Sequence, residues 1–520
     1  MRVAAGLGLV AGIATAELPN IVIIYADDLG FGDLSCYNPE AAYETPRLDE
    51  MAKEGIRFTD AHSPSTICSP SRYGLFSGQQ IYRVTGRGGG AFEGPGGPSY
   101  LRPGTLTLGG MLQEKGYRTG VFGKWHVGLT WLDKDGKRLG GGFDNSLLID
   151  YEKSTPLVDG PNARGFDESF VTPNCPTTDP LYIYIENGMV PVPANQRYDR
   201  SQTPNPGGKW RWDNDLGWMA PGYEFVNADL LFFEKTKEFI TQHREETPEQ
   251  PFFAVFSTQI AHAPVLPAEE FYGKTDAGPR GDFVYELDAL VGRVLDLLEE
   301  LEIDEETLVL FNADNGAEIM HVDWMRQDHG HDPSGGFRGV KRDGWEGGHR
   351  VPFIARWPGM IPAGQVSAQM TNTTDIMATL ASVVGYELPD DAATDSFDML
   401  PAMMGEKEPI REHLLTQSFR GEFQIRKGDW KYLDHAGSGG NGYDKGPLHK
   451  YQLPEDEPEA PGQLYNLAVD PGETRNLYFK EEAKRKELQA LLEELKKSGR
   501  SAPRGRQPLG MDKLKAMAAH

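Results

Sequence analysis

Short runs of apolar residues recur along the chain and restrict its fold more than any other feature. They lie at Asn20–Tyr25 (NIVIIY), Thr119–Phe122 (TGVF), Phe252–Phe256 (FFAVF), Thr307–Phe311 (TLVLF) and Phe353–Ala355. Such runs are typical of strands buried on both faces of a sheet. Helices are predicted between them, the clearest at Phe283–Leu301, where leucine and valine recur at helical spacing. This alternation predicts an α/β fold with a mostly parallel sheet flanked by helices.

The pattern changes after about Glu406. Phe423–Leu433 (FQIRKGDWKYL) is typical of a β-hairpin, and a charged helix is predicted at Lys480–Lys497. We therefore expect a smaller C-terminal antiparallel sheet-plus-helix subdomain at residues 406–497, followed by a mobile tail at 498–520.

Three segments rich in glycine and polar residues are predicted as long surface loops. They are Arg83–Pro103, Leu129–Gly165 and Tyr198–Gly222, the last of which carries Trp210, Trp212 and Trp218. Loops of this length are usually functional or disordered. A fourth polar loop is predicted around His321, Asp323, Asp328, His329, His331 and Asp332, and ligand contact through His329 or His331 is a hypothesis.

The N-terminal segment has the features of a secretory signal peptide. Residues 1–16 (MRVAAGLGLVAGIATA) combine the charge of Arg2, an apolar run and a small-x-small cleavage site. The segment is shorter than the roughly 20 apolar residues that span a bilayer, so we expect no transmembrane anchor. The sequence thus predicts export to the periplasm or the extracellular medium, with the main domain at residues 17–405.

Charge and cysteine content exclude several classes of protein. The chain has 77 acidic and 52 basic residues, a formal net charge of −25, which argues against a nucleic-acid partner. Three cysteines exclude a disulfide-dense scaffold and a cysteine zinc cage. The odd number leaves at least one sulfur without an intramolecular partner.

Acidic pairs follow two of the predicted strands. Asp27-Asp28 comes directly after the first strand, and Asp314-Asn315 follows the fourth. Ligands of α/β folds gather at the carboxyl ends of the strands, and oxygen ligands favour Ca²⁺ or Mg²⁺. One such pair alone would suit a solvated turn, whereas two at one sheet edge indicate a shared cation site.

The segment Cys68-Ser69-Pro70-Ser71-Arg72 carries the most specific pattern. By itself Cys68 is either a small buried residue or a nucleophilic thiolate whose pKa Arg72 lowers. The pentapeptide resembles the signature of the type I sulfatases, whose members include arylsulfatase A and N-acetylgalactosamine-6-sulfatase. Further elements resemble that family in the same order, namely NIVIIYADDLGFG from Asn20, Gly123-Lys124-Trp125-His126, His262-Ala263-Pro264, Ala313-Asp314-Asn315-Gly316, and Gly339-Val340-Lys341 with Trp345-Glu346-Gly347-Gly348. The resemblance covers about residues 20–360, and Leu464–Leu477 resembles the family's C-terminal domain.

The resemblance implies a fold, a cofactor and a maturation step. The fold is alkaline-phosphatase-like, with a large mixed, mostly parallel sheet. A formylglycine-generating or equivalent maturation enzyme oxidises Cys68 to Cα-formylglycine. Ca²⁺ is held by Asp27, Asp28, Asp314 and Asn315, with position 68 also close.

The resemblance also implies a role for each remaining motif residue. The hydrated aldehyde at position 68 attacks sulfur, and Arg72 holds that position. Lys124 and Lys341 bind the sulfate oxygens. His126 takes the proton of the second hydroxyl, and His262, with Lys341, protonates the leaving alcohol.

The leading hypothesis is therefore hydrolysis of a sulfate ester on a sulfated carbohydrate. One alternative is a phosphodiesterase or phosphonate hydrolase of the same superfamily, and another is an inactive module that binds sulfated glycans. Cys36 and Cys175 match no catalytic element, so they are predicted as buried thiols or as a pair formed after export.

Overall fold

The structure is a computed structural model that describes residues 18–86, 97, 99–140, 143–178, 180–199 and 216–518. The predicted signal peptide lies outside these residues, as do Trp210 and Trp212. Within the described ranges, none of the helices combines the length and the hydropathy that a membrane span requires.

Strands and helices alternate through most of the chain. The strands are β1 Asn20–Ala26, β2 Ile56–Phe58, β3 Ala61–His62, β4 Arg118–Lys124, β5 Glu168–Thr172, β6 Leu181–Tyr182, β7 Ile185–Glu186, β8 Gln196–Asp199, β9 Leu216–Met219, β10 Phe252–Ser257, β11 Thr307–Ala313, β12 Phe353–Arg356, β13 Gln365–Ser367, β14 Thr371–Asn372, β15 His413–Gln417, β16 Phe423–Lys427, β17 Trp430–Leu433 and β18 Gln463–Asn466. The α-helices are α1 Pro46–Glu54, α2 Cys68–Ser77, α3 Tyr82–Thr85, α4 Leu108–Glu114, α5 Tyr151–Ser154, α6 Ala228–Glu246, α7 Gly278–Glu300, α8 Ile319–His329, α9 Glu346–His349, α10 Asp375–Val383, α11 Leu400–Met403, α12 Glu482–Ser498 and α13 Gly510–Ala518.

A nine-stranded sheet forms the centre of the molecule, in the order β13-β2-β12-β11-β1-β10-β4-β5-β7. The five strands from β11 to β5 are parallel, whereas β12 is antiparallel to both of its neighbours. Helices α1, α6 and α7 cover one face, and α2, α4 and α10 cover the other. The predicted large mixed, mostly parallel α/β sheet is confirmed.

The apolar runs in the sequence follow from burial on both faces of this sheet. Along β1, Ile21 and Ile23 enter one core, while Val22 and Ile24 enter the other. Both faces therefore require apolar side chains, and the alternation of apolar and polar residues seen in half-exposed strands is absent from β1.

The C-terminal subdomain is a four-stranded antiparallel sheet, β15-β16-β17-β18, covered by α12. The predicted hairpin is confirmed, with Lys427 opposite Trp430 at its turn. Leu488, Leu492 and Leu495 of α12 are buried against the sheet, which makes this a second small core beside the main one.

Residues 498–518 correct the expectation of a mobile tail. They fold back onto the main domain, where Met511 and Leu514 of α13 join the core that contains α10. Arg506 also donates hydrogen bonds to the carbonyl oxygens of Ala392 and Ser396. The segment is mostly polar and contains glycine, so the sequence did not reveal that Met511 and Leu514 are spaced to lie on one face of a helix.

Two predicted loops contain more regular structure than expected. The segment with His321 and His329 is mostly helix α8, which buries Val322 and Met325. The loop predicted at Tyr198–Gly222 overlaps the end of β8 and contains β9, and these two strands pair antiparallel in a separate small sheet.

Candidate active site and metal centre

Two acidic pairs meet at the carboxyl edge of the large sheet. β1 and β11 are parallel neighbours in register, so Asp27-Asp28 and Asp314-Asn315, which follow them, emerge side by side. The Asp28 backbone N–H donates to Asp314 Oδ1 at 3.1 Å, and all four side chains are buried. The structure thus brings together the residues that the sequence predicts as cation ligands.

Helix α2 directs Cys68 and Arg72 toward this edge. Cys68 is the first residue of the helix, and Arg72 follows about one turn later on the same side. Arg72 Nε donates to Asp314 Oδ2 at 2.9 Å, and Nη1 donates to Ser257 Oγ at 2.6 Å and to the Lys124 carbonyl at 3.1 Å. The cysteine and the guanidinium are therefore fixed relative to the ends of β4, β10 and β11.

Each of the three buried carboxylates at this edge faces one buried cation. The pairs are Lys124 Nζ with Asp27 at 2.5 Å, Lys341 Nζ with Asp28 at 2.7 Å and Arg72 Nη2 with Asp314 at 2.8 Å. The formal charges of these six side chains cancel.

The pKa values show that negative charge is crowded here. Burial raises the pKa of Asp314 well above its ordinary value, and the Asp27 charge raises it further. Burial also raises the pKa of Asp28, although Lys341 opposes the shift. Burial acts on Asp27 in the same direction, but Lys124 and His262 outweigh it and the pKa of Asp27 is lowered. A bound cation would relieve the crowding at Asp28 and Asp314.

Two oxygens of the acidic pairs lack a hydrogen-bond partner among the described residues. Asp27 Oδ1 and Asn315 Oδ1 are buried and take part in no hydrogen bond with the described residues. Asn315 Nδ2 donates to Asp28 Oδ1 at 2.7 Å, so the amide oxygen is the atom left over. Because an unsatisfied buried oxygen is costly, this all-oxygen set fits a hard divalent cation such as Ca²⁺ or Mg²⁺.

Both predicted histidines lie beside the acidic edge. His262 Nδ1 contacts the Ala263 carbonyl at 2.7 Å, and Nε2 lies 3.7 Å from Asp28 Oδ2. The ligand atoms of Asp27, Asp28, Cys68 and His262 all lie within 4.8 Å of one another. His126 follows the end of β4 and adopts a left-handed backbone conformation, with φ 54°.

Cys175 is a site residue that the motif comparison missed. Its Sγ lies 3.8 Å from His126 Nδ1 and 3.7 Å from His262 Nε2. Cys68, His126 and Cys175 place ligand atoms within 4.8 Å of one another. Its position in the sequence could have indicated this. Cys175 follows the end of β5, Lys124 ends β4, and these two strands are parallel neighbours whose ends lie at the same edge of the sheet. No disulfide joins Cys36 to Cys175, which removes the predicted pairing.

His331 is fully buried and therefore unsuited to the hypothesised ligand contact. It accepts a hydrogen bond from the Ala42 backbone N–H at 3.3 Å, and its Nε2 lies 3.4 Å from Asp33 Oδ1. The ring also packs against Tyr43. These contacts assign His331 to the packing of the loop after β1.

The C-terminal subdomain holds the segment that carries Lys341, a feature that the motifs did not predict. Asn441 Nδ2 donates to the Lys341 carbonyl at 2.8 Å, and the Phe419 backbone N–H donates to the Arg342 carbonyl at 3.1 Å. The Gly344 backbone N–H donates in turn to the Ser438 carbonyl. These residues are remote from Lys341 in sequence and carry no catalytic pattern.

A second buried cluster, which we term the interface cluster, joins the subdomain to the main domain. Its members are Asp60, His62, Glu346, His349, Arg350, Arg426, Lys431 and Glu473. Lys431 Nζ lies 3.0 Å from Glu346 and 2.9 Å from Glu473, while Arg426 donates to both oxygens of Asp60 at 2.7 and 2.8 Å.

Comparisons with known proteins agree along almost the whole chain. A family model described as Sulfatase matches residues 19–386, and one described as N-sulphoglucosamine sulphohydrolase, C-terminal, matches residues 339–500. The chain is 33% identical to an N-acetylgalactosamine-6-O-sulfatase of Bacteroides thetaiotaomicron, covering 92% of this chain and 94% of the relative. It is 32% identical to human arylsulfatase A, covering 91% and 85%. A structure solved in work on the metabolism of multiple glycosaminoglycans by Bacteroides thetaiotaomicron superimposes with a TM-score of 0.76 at 30% identity, covering 93% of this chain and 100% of that one.

Proposed function

The chain belongs to the sulfatase family and is a sulfuric ester hydrolase, and we propose that it removes sulfate from a sulfated carbohydrate at the site around Cys68. The proposal is supported by one observation above all, the convergence of Cys68, three buried cations, two histidines and an all-oxygen cation site at one sheet edge. N-acetylgalactosamine 6-sulfate is the first substrate to test, because the Bacteroides thetaiotaomicron relative is named for that linkage.

Charge balance explains why the site needs a divalent cation to bind an anion. The buried carboxylates and cations of the acidic edge cancel. We propose that Asp27, Asp28, Asp314 and Asn315 hold Ca²⁺ and that Cys68 is converted to formylglycine by a maturation enzyme. When bound, calcium supplies positive charge at the sulfate, and the hydrated formylglycine supplies the nucleophile. An excess of two positive charges then remains for the anionic substrate, despite the chain's net charge of −25.

Lys124 and Lys341 bind the sulfate oxygens as preorganised point charges. Each ammonium is buried and oriented by one carboxylate, Asp27 for Lys124 and Asp28 for Lys341. Fixed cations in a site that excludes water stabilise the charge that develops on the oxygens in the transition state. Arg72 positions Asp314 and the start of α2 and is not a primary contact of the substrate. Three of its hydrogen bonds go to other protein atoms.

The two histidines move protons. His262 contacts the Ala263 carbonyl through Nδ1, which assigns a proton to that nitrogen and leaves Nε2 to give a second proton to the leaving alcohol. His126, which places a ring nitrogen within 4.8 Å of Cys68 Sγ, accepts the proton of the second hydroxyl at position 68.

The proposal is tested first by mass spectrometry of the peptide that contains Cys68. We expect a mass below that of cysteine in active enzyme, and fully active enzyme with unmodified Cys68 would contradict the mechanism. Cys68→Ala should fold and lose most of its activity, whereas Cys36→Ala, in a cysteine that lies outside the site, should keep it.

Substrate assays separate the competing functions. Released sulfate should be measured for the 6-sulfate and 4-sulfate of N-acetylgalactosamine, together with an aryl sulfate and an aryl phosphodiester. Faster turnover of the phosphodiester would favour a phosphodiesterase, and binding without turnover by converted protein would favour a glycan-binding module.

We also propose that the chain is exported after cleavage of residues 1–16. The support is the composition of that segment. N-terminal sequencing of the mature protein should begin near Glu17, and an exported product that retains Met1 would contradict cleavage.

A further inference from the structure

Sulfur and imidazole ligands meet next to the oxygen site. Cys68, His126 and Cys175 are buried, and one ligand atom of each lies within 4.8 Å of the other two. We propose that, in chains whose Cys68 has not been converted, these three residues and His262 form a zinc site beside the calcium site, with its own sulfur and nitrogen ligands.

The distances fit tetrahedral zinc. With Zn–S near 2.3 Å and Zn–N near 2.0–2.1 Å, a tetrahedral ion separates its sulfur and nitrogen ligands by about 3.5 Å. Cys175 Sγ lies 3.8 Å from His126 Nδ1 and 3.7 Å from His262 Nε2. Shifts of a few tenths of an ångström would therefore bring each nitrogen to the distance from the Cys175 sulfur that a shared zinc ion requires.

His262 is already oriented as a metal ligand. Its Nδ1 contacts the Ala263 carbonyl at 2.7 Å. Histidine ligands typically donate their second ring N–H to a carbonyl or a carboxylate, which fixes the tautomer and directs the other lone pair at the ion. In His262 that lone pair is on Nε2, the atom that faces Cys175.

Ligand chemistry separates the zinc site from the oxygen site. Thiolate and imidazole select zinc, whereas carboxylate and amide oxygens select calcium or magnesium. Zinc with two thiolates is also neutral, so it leaves unchanged the balance between the three carboxylates and three cations beside it.

Zinc at this position would occupy the sulfur at position 68 and both of the histidines to which we assign the proton transfers. This consequence rests on the proposed function, whereas the site itself does not. Conversion of Cys68 removes one of the two thiolates, so the converted enzyme should bind zinc more weakly through Cys175, His126 and His262.

The test uses the full chain produced without a maturation enzyme, after mass spectrometry has shown that Cys68 is intact. Co²⁺ serves as the spectroscopic probe and Zn²⁺ as the competitor, both in excess Ca²⁺. We expect one Co²⁺ per chain, a near-ultraviolet sulfur-to-cobalt charge-transfer band, and loss of that band on adding one equivalent of Zn²⁺. A chain that binds Co²⁺ without that band, or whose Co²⁺ is displaced by Ca²⁺, would overturn the proposal without any variant.

Cys175→Ser tests the ligand assignment, with Cys36→Ser as the matched control. Loss of an outer contact to a metal ligand weakens metal affinity by about 10–100-fold, so loss of the ligand itself should weaken zinc affinity at least 100-fold. Cys36→Ser should bind zinc like the parent, and equal affinity of Cys175→Ser and the parent would refute the site. Thermal melts of the metal-free variants check that each is folded.

The zinc site and the proposed function can fail independently. Active converted enzyme whose unconverted form binds no zinc refutes the zinc site alone. Unconverted protein that binds zinc through Cys175, but shows no sulfate release after conversion, refutes the proposed function alone.

Discussion

Two buried clusters in this molecule contain the same numbers of acidic, basic and histidine side chains but arrange them differently. The active-site cluster contains three carboxylates, three cations and two histidines: Asp27, Asp28, Asp314, Arg72, Lys124, Lys341, His126 and His262. The interface cluster has the same composition: Asp60, Glu346, Glu473, Arg350, Arg426, Lys431, His62 and His349. The difference between them lies in how the partners are arranged.

The interface cluster is closed by a directed chain of hydrogen bonds. A charged Lys431 can only donate, so His349 Nε2, at 3.1 Å, accepts. His349 Nδ1 then carries the proton that it shares with His62 Nδ1 at 2.9 Å, and His62 Nε2 donates to Asp60 at 2.8 Å. His62, Glu346 and His349 lie close enough together to hold a metal, but Lys431 donates to Glu346 and His349, and His349 donates to the lone pair of His62.

The pKa shifts express the same contrast. In the active-site cluster, burial raises the pKa of two of the three carboxyls, Asp28 and Asp314. In the interface cluster, burial acts in the same direction, but Lys431 at Glu346 and Arg350 at Asp60 outweigh it and lower both pKa values, whereas burial raises the pKa of Glu473 to about 7. With equal numbers of charges, one of three carboxyls therefore has a raised pKa in the interface cluster, against two of three in the active-site cluster, where a ligand is needed.

The largest expected effect is on catalysis. Lys124→Ala should lower kcat/KM for an aryl sulfate about 10³-fold, because it removes a fixed cation from the transition state. The melting temperature should also fall, because the buried Asp27 carboxylate loses its cation, so kcat/KM is compared per folded molecule. Lys137→Ala, on the exposed surface, is the control. Retained activity in Lys124→Ala would mean that Lys124 has only a structural role, and the two clusters would then not differ in function.

In the interface cluster, the loss of a buried cation should lower stability but leave turnover unchanged. Lys431→Met leaves Glu346 and Glu473 without their cation, and removing one partner of a buried pair costs about 3–5 kcal/mol of unfolding free energy. Chemical denaturation measures this loss. Activity per folded molecule, assayed well below the melting temperature, should stay near that of the parent. A large loss of turnover with unchanged stability would mean that the interface takes part in the reaction.

Calcium should stabilise only through the active-site cluster. At a concentration 100 times its Kd, a ligand that binds the folded state adds about 2.7 kcal/mol. We expect a chelator to remove this increment in the parent and in Lys431→Met alike, as measured by the change in melting temperature. Asn315→Ala should have a smaller calcium increment, because it deletes an oxygen that has no other partner. An unchanged increment in Asn315→Ala would place calcium elsewhere.

The sequence predicts the large sheet well because burial on both faces leaves a visible pattern. β1, β10 and β11 are apolar at almost every position, and α7 has strong helical spacing. The direction of β12 could not be predicted, because a three-residue apolar run, Phe353–Ala355, is the same in either orientation. The tail was missed because Met511 and Leu514 are only two anchors in a polar segment.

The candidate site also contains residues that the sequence could predict and residues that it could not. Motif residues at strand ends were predictable, because adjacent parallel strands deliver their next residues to one edge. Cys175 was not, since its partners, His126 and His262, lie 49 and 87 positions away. The interface cluster was equally hidden, because Lys431 and Glu346 are 85 positions apart and belong to different domains.

The smallest expected effect on stability comes from an exposed lysine, and it tests whether burial is what makes Lys431 important. Lys427 and Lys431 lie in the same hairpin, but Lys427 pairs with Glu487 at 3.2 Å, with both side chains about 40% exposed. An exposed pair contributes about 0–1 kcal/mol. Lys427→Ala should therefore change the unfolding free energy by less than about 1 kcal/mol, with full activity, in the same denaturation assay as Lys431→Met. A loss as large as that of Lys431→Met would mean that the hairpin, and not the buried charges, controls the domain contact.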